Sequence, residues 1–333
     1  MIGKPTYTLG IESSCDETGI AVLKDGTEML STVVASSLKL HKKFGGAVPE
    51  IASRHCLEYI QPVYEEALEK AGIKEEDLSL VGVTYGPGLV GSLLVGVSFA
   101  KALSYRLGIP IIGINHLEAH LYVCGVDFDI EKDFIGLLIS GGHSSIVSST
   151  KKGLELLGDT RDDALGEAFD KVSTMLNLGY PGGPKVEKLA KEGDASKVKL
   201  TSAKLPGSFD FSFSGIKTGV LYYIRDCEDV EKATPDICAA FQTSVFDVVI
   251  EKTLRAAEEN GIKTVVVGGG VSANRTLRGL LTDAAEPKGI EVIFPEIKYA
   301  IDNGAMIAKR AYDLHLTGDE SAYDLSVAPN LDF

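Results

Sequence analysis

The sequence predicts a duplicated α/β fold, in which each half opens on antiparallel strands and continues in alternating helices and strands. Residues 7–11, 19–23 and 30–35 are short apolar, β-rich runs parted by polar turns, a three-strand meander. Helical periodicity at 49–71, a strand at 80–84, a helix at 92–107 and a strand at 109–114 follow. A second half beginning near Phe134 repeats the opening, with strands at 134–139 and 144–148 around the turn SGGH. Helices near 163–176, 184–193, 215–226 and 236–260 come next, then a strand at 263–267, a helix at 272–285, a strand at 290–294 and a helix at 304–316. Pro62 inside the first helical stretch predicts a kink or two helices.

Two α/β lobes that each open on a meander suggest the actin and hexokinase architecture (ASKHA, a duplicated RNase H-like fold), with the ligand in the interlobe cleft. The first lobe is expected over residues 1–125 and the second over 126–303, with a C-terminal helix, 304–333, packing back on the first. The length of 333 residues, 44% hydrophobic and 24% charged, fits such an assembly. No run of 18 uncharged apolar residues occurs, so no membrane span is expected. The start of the chain lacks a signal-peptide pattern. Cys15, Cys56, Cys124, Cys227 and Cys238 are odd in number and lack CxxC spacing, which predicts reduced thiols and the cytoplasm.

The net charge is −14, so phosphate backbones are repelled and a nucleic-acid substrate would need a local basic patch or a partner. One stretch qualifies: Lys185, Lys188, Lys191, Lys197, Lys199 and Lys204 against Glu187, Glu192 and Asp194. Lys188, Lys197 and Lys199 are its candidate nucleic-acid contacts; the alternative is a solvated helix face and loop.

The densest chemistry lies at residues 116–120, HLEAH, where an apolar strand gives way to a helix. Histidines four residues apart on a helix lie about 40° apart around its axis, so His116 and His120 can share one metal ion. Glu118 lies about 200° around from His116 and cannot join them. The best remaining third ligand is Asp302, a carboxylate ahead of the last helix; its alternative role is to cap that helix.

Glycine-rich junctions mark a second site. Residues 265–275, VVVGGGVSANR, run from a buried strand through bare backbone into a helix N-terminus, where free N–H groups favour a nucleotide or anion. Gly269 and Gly270 would let the ligand approach, and Asn274 could hydrogen-bond a ribose or base. The tip of the SGGH turn offers further N–H groups. Residues 86–91 match G-x-G-x-x-G, but Pro87 removes an N–H and no acid closes the next strand, so dinucleotide binding is rejected. Those glycines are expected to permit close helix–strand packing.

Together, ESSCDET (12–18), HKKFGGAVPEIASR (41–54), GPGLVGSLLVG (86–96), NHLEAH (115–120), SGGH (140–143), GEAFDK (166–171), YPGGP (180–184), FSFSGIK (211–217), GGVSANR (269–275) and DNGAMIA (302–308) resemble the TsaD family in order from about residue 8 to 316. These are the tRNA N6-adenosine threonylcarbamoyltransferases, and the first two motifs resemble the bacterial branch. Ala119 stands where many members have Gly.

The resemblance implies transfer of threonylcarbamoyl from threonylcarbamoyl-AMP to N6 of the adenosine 3′ of the anticodon. It implies a metal, iron(II) or else zinc, on His116, His120 and Asp302. It implies nucleotide and substrate contacts at Ile139, Ser140, Gly141, Gly142, His143, Asp170, Gly183, Glu187 and Asn274. It also implies tRNA, a paralogous TsaB-type subunit and a TsaE-type ATPase as partners. No general base is assigned. Three rivals carry less: a zinc peptidase needs Glu beside the first His, a kinase of this superfold needs no HxxxH pair, and a scaffold needs none of the cleft motifs.

Overall fold

The structure is a computed structural model and describes residues 4–37, 40, 48–130, 133–200 and 205–333. Residues 41–47 of the HKKFGGAVPEIASR motif and Lys204 lie outside the described residues. The chain divides into two compact units, Met1–Asp129 with Ile301–Phe333, and Ile130–Ala300.

The first unit holds β1 (Tyr7–Glu12), β2 (Glu17–Lys24), β3 (Glu28–Ser36), α1 (Pro49–Ala71), β4 (Leu80–Gly86), α2 (Val90–Leu107), β5 (Ile111–Asn115) and α3 (His116–Tyr122). Its sheet order is β3-β2-β1-β4-β5, antiparallel through the meander and parallel from β1 to β4 and β5. Period-two alternation sorts the two faces. Leu9, Ile11, Ile20, Val22, Val81 and Val83 face the core made with Ile60 and Val63 of α1 and Val97 of α2. Gly10, Gly19 and Gly82 lie on the opposite face. There they receive the last helix of the described residues, Gly304–Thr317.

That contact needs glycine. A Cβ on Gly10 would overlap Gly304 O and the Ala308 backbone, and one on Gly304 would overlap Ala21 N. The helix of the C-terminal segment ends at Thr317, short of the expected 304–333, where Gly318 takes the left-handed conformation. Beyond it Ser321 bridges Ile111 and Ala328 N–H donates to Tyr85 O (2.8 Å).

The second unit holds β6 (Phe134–Ile139), β7 (Ser144–Thr150), β8 (Gly153–Asp159), α4 (Leu165–Met175), α5 (Gly183–Ala190), α6 (Ser214–Asp226), α7 (Val230–Asn260), β9 (Thr264–Gly268), α8 (Arg275–Ala285), β10 (Glu291–Ile293) and α9 (Ile297–Ala300). The returning helix Gly304–Thr317 is then α10. The sheet order β8-β7-β6-β9-β10 repeats the first strand for strand, with the same parallel and antiparallel pairs. This is the duplicated α/β architecture that the repeat of the meander predicts. Central β6 and β9 are buried throughout, and Phe169 meets Phe241 edge to face (centroids 5.0 Å) beneath them.

Three expectations change. Of the kink or two helices expected at Pro62, the second is excluded, since α1 is one helix of 23 residues with Pro62 inside it. The edge strand β8 is missed because its leucines at 154, 156 and 157 break the strand alternation and four of its seven residues are exposed. The long helix opens at Val230, where Asp229 caps it by accepting from Lys232 N–H (3.0 Å). Among the described residues no helix is long and apolar enough to cross a membrane, and none of the five cysteines is in a disulfide.

Candidate functional site

Strand β5 ends at Asn115, whose Oδ1 accepts from Leu117 N–H (2.8 Å) and caps α3. The cap places both histidines on one short buried helix, with ring centroids 4.7 Å apart. Asp302 joins them from the chain ahead of α10. His120 Nε2 lies 3.0 Å and His116 Nε2 3.7 Å from Asp302 Oδ1. The three donor atoms lie within 4.8 Å of one another. Donors bound at about 2.1 Å to a single ion stand about 3–4 Å apart, and the two distances to Asp302 fall in that range. The alternative role of Asp302 falls away: the cap of α10 is Asn303, whose Oδ1 accepts from Ala305 and Met306 N–H.

A shell of acids surrounds the triad. Glu12, at the end of β1 and fully buried, lies with Oε2 3.0 Å from His116 Nδ1. Burial alone would raise the Glu12 carboxyl, but the His116 charge outweighs it and holds the group below its ordinary value. Burial would likewise lower His116; the charges of Glu12 and Asp302 reverse that and hold it at about 9. Glu17 is pushed up to about 8 by burial and then by Asp302. The buried acids thus compete for the His116 charge and for protons, and a divalent cation would relieve that competition. Two imidazoles and a carboxylate suit iron or zinc. Glu118 points away, in an ion pair with Arg310 of α10 (2.7 Å), which removes the base that a peptidase would need.

The second unit carries a pocket of ≈270 Å³. Gly141, Asp170, Gly183, Glu187, Gly270 and Asn274, all predicted, line it with Gly166, Phe169, Pro184, Val271 and Ala273. Asp170 is held above its ordinary value by burial, while its Oδ1 accepts from Gly182 N–H (2.6 Å). Glu187 Oε1 accepts from Arg275 N–H at the start of α8 (3.0 Å).

Ile139, Ser140, Gly142, His143 and Gly269, also predicted, do not line it. Ile139 is a fully buried strand end. The Gly142 and His143 N–H groups donate to Ser140 Oγ (3.3 and 3.1 Å), so the turn spends them on its own side chain. Asn274 is first a cap: Oδ1 accepts from Leu277 N–H (3.0 Å) and Nδ2 donates to Gln242 (3.3 Å). Gly269 has φ +86° and an added Cβ there would lie 2.5 Å from Ile139 O, so its glycine serves the fold. The 86–91 glycines serve chain crossings rather than helix–strand packing alone. Gly86 abuts Ala328, Gly88 abuts Ser14 and Gly91 abuts Ser53 of α1.

The lysine segment is less basic than its sequence implies. Lys197 pairs with Asp236 (3.0 Å), and Asp226, Glu228 and Asp229 line the same groove as Lys197 and Lys199. Lys188 and Lys199 are exposed.

The family model described as TsaD, tRNA N6-adenosine threonylcarbamoyltransferase, matches residues 28–309. The chain belongs to the TsaD family. It is 49% identical over 328 residues to the tRNA N6-adenosine threonylcarbamoyltransferase of Symbiobacterium thermophilum, covering 97% of this chain and 96% of that one. It is 45% identical over 326 residues to that of Thermosipho africanus, covering 97% and 98%. Among solved structures, HypF of T. kodakarensis shares the fold at 13% identity and TM-score 0.66, covering 96% of this chain and 50% of that one. Component A of the Acidaminococcus fermentans (R)-2-hydroxyglutaryl-CoA dehydratase shares it at 18% identity and TM-score 0.54, covering 92% and 98%. This TsaD-family chain thus has the actin/hexokinase-like fold that its strand pattern predicts.

Gly270 separates pocket from fold. A Cβ there meets nothing within 4 Å, unlike Gly269. Gly270→Val should change stability by no more than about 0.5 kcal/mol yet weaken AMP binding about tenfold or more, a loss of about 1.4 kcal/mol. Calorimetric titration with AMP, beside a denaturant melt, checks this; undiminished AMP affinity would remove the nucleotide from this pocket.

Proposed function

We propose that this chain transfers the threonylcarbamoyl group from threonylcarbamoyl-AMP to N6 of the adenosine 3′ of the anticodon in tRNAs reading ANN codons, releasing AMP. Family membership supports the transfer and the tRNA acceptor. The convergence of His116, His120 and Asp302 supports a metal-assisted acyl transfer. The donor is a mixed anhydride, so AMP is already a good leaving group and no covalent nucleophile is needed. N6 attacks the carbamoyl carbon, the bond from that carbon to the phosphate oxygen breaks, and N6 loses a proton. Bound at the triad, one divalent ion, iron(II) first and zinc second, supplies polarisation of a carbonyl or phosphoryl oxygen.

The pocket on the second unit takes the adenosine part of the donor. Asp170 and Glu187 stand where ribose hydroxyls can donate to them, and the open faces of Gly141, Gly183 and Gly270 admit the ligand. With a net charge of −14, the chain meets tRNA poorly unaided. A TsaB-type subunit and a TsaE-type ATPase are the partners we assign, in the cytoplasm.

Purified chain with those partners, unmodified tRNA, threonine, bicarbonate, ATP and the adenylate-forming enzyme should yield threonylcarbamoyladenosine by nucleoside mass analysis. His116→Ala/His120→Ala protein should lose both the product and its metal by elemental analysis while circular dichroism stays near native. Metal retained in full by that variant would contradict the assignment of its ligands, and absence of the nucleoside from the complete wild-type reaction would contradict the activity.

Lys188 and Lys199 are the residues we assign to tRNA phosphates; Lys197 is already paired. Replacing both with Glu should weaken tRNA binding and reduce the slope of log affinity against log salt by about 0.7–0.9 for each phosphate no longer neutralised. A salt slope identical to the parent would return both residues to a solvated surface.

A further inference from the structure

We propose that Glu12 is the positioning residue of the metal centre: it fixes His116 as the tautomer protonated on Nδ1 and so turns the Nε2 lone pair toward the ion. The inference rests on the metal reading of His116, His120 and Asp302 and goes beyond it, because Glu12 touches no metal donor atom but the far nitrogen of one ligand.

The geometry leaves Glu12 no other part. The side chain is fully buried, and both of its oxygens are held by hydrogen bonds. Oε1 accepts from the main-chain N–H of Ser14 (2.6 Å), and Oε2 accepts from the Thr84 hydroxyl (2.6 Å). The remaining direction of Oε2 faces His116 Nδ1 at 3.0 Å, and Ser14 Oγ lies 3.2 Å from the same nitrogen. A carboxylate only accepts, so the hydrogen must sit on Nδ1. A ligating imidazole gives up one proton to the metal, so with Nδ1 protonated the lone pair lies on Nε2. Nε2 is the atom that faces Asp302. A carboxylate behind a ligating histidine sets ring orientation and basicity in this way. His120 has no such backing, for its Nδ1 is buried without a hydrogen-bond partner among the described residues.

The three contacts of Glu12 make a test in which a small change does more harm than a large one. In Glu12→Gln, the Ser14 N–H can only donate, so the amide oxygen must stay with it. The amide NH2 then faces Thr84 and His116. Donor against donor drives the His116 proton to Nε2 and closes the coordination position. Glu12→Ala leaves the tautomer merely unselected. A purely structural role predicts the opposite order, since Gln preserves packing and Ala does not.

The experiment is zinc binding to metal-stripped protein by chelator competition, with circular dichroism on each variant. We expect Glu12→Gln to lose about 10–100-fold in affinity and to lose at least as much as Glu12→Ala. Parental affinity in Glu12→Gln, or affinity clearly above that of Glu12→Ala, overturns the proposal. Should Glu12→Gln fail to fold, nitrogen-15 NMR of the zinc-loaded parent decides: a proton on Nδ1 and metal on Nε2 of His116 supports it, and the reverse overturns it. His116→Ala/His120→Ala separates the two levels. Zinc retained there removes the metal reading itself, whereas zinc lost there but kept by Glu12→Gln overturns only the role of Glu12.

Discussion

Helix α10 approaches β1 and β2 so closely that side chains are excluded at the crossing, and the candidate metal centre depends on that approach. Gly10, Gly19, Gly82 and Gly304 are the residues that permit it. Close-packed contacts of this kind tolerate little displacement. Asp302, two residues ahead of Gly304, is therefore held at a set distance from α3. Arg310, further along α10, pairs with Glu118 and lies over the Tyr122 ring (4.0 Å), which ties α10 to α3 a second time. Glu118, useless as a ligand, thus helps to register the two segments that carry the ligands.

The turn between β1 and β2 supplies the charge that makes the triad a cation site. Glu12 and Glu17 flank the histidines and Asp302, and burial removes the water that would otherwise screen them. In this setting an acid is either paired with a cation or forced to bind a proton, and the opposite shifts of Glu12 and Glu17 show both outcomes. The equivalent turn of the second unit, Ser140–His143, follows the equivalent strand but carries no acid. The two turns thus carry different chemistry on the same architecture: buried acids in one unit, and Gly141 of a pocket wall in the other.

How far the sequence could be read follows from the range of each signal. The His116–His120 pair needs only the helical repeat, and the meander needs only alternation, so both are visible locally. The close approach of α10 is not read from the sequence, because Gly10, Gly19 and Gly82 meet residues within 303–311, far away along the chain. Glu12 is hidden because its partner His116 is 104 positions away, and nothing near Glu12 distinguishes it from the exposed acids of a turn. Asn274 misleads for the opposite reason. A helix cap and a ligand contact call for the same residue at the same place, and local hydrogen bonds claim it first. The lysine segment misleads because counting along the chain omits the acids at 226–236, which the fold brings to the same groove.

The central claim is that His116, His120 and Asp302 together hold one metal through two imidazole nitrogens and a carboxylate oxygen. X-ray absorption at the metal edge of protein loaded with zinc to one equivalent tests it most directly. The account predicts a first shell of nitrogen and oxygen alone at about 2.0–2.2 Å, with the outer-shell signature of two imidazoles. A sulfur scatterer at about 2.3 Å, which would draw Cys15 into the site, or a shell without imidazole, would contradict it.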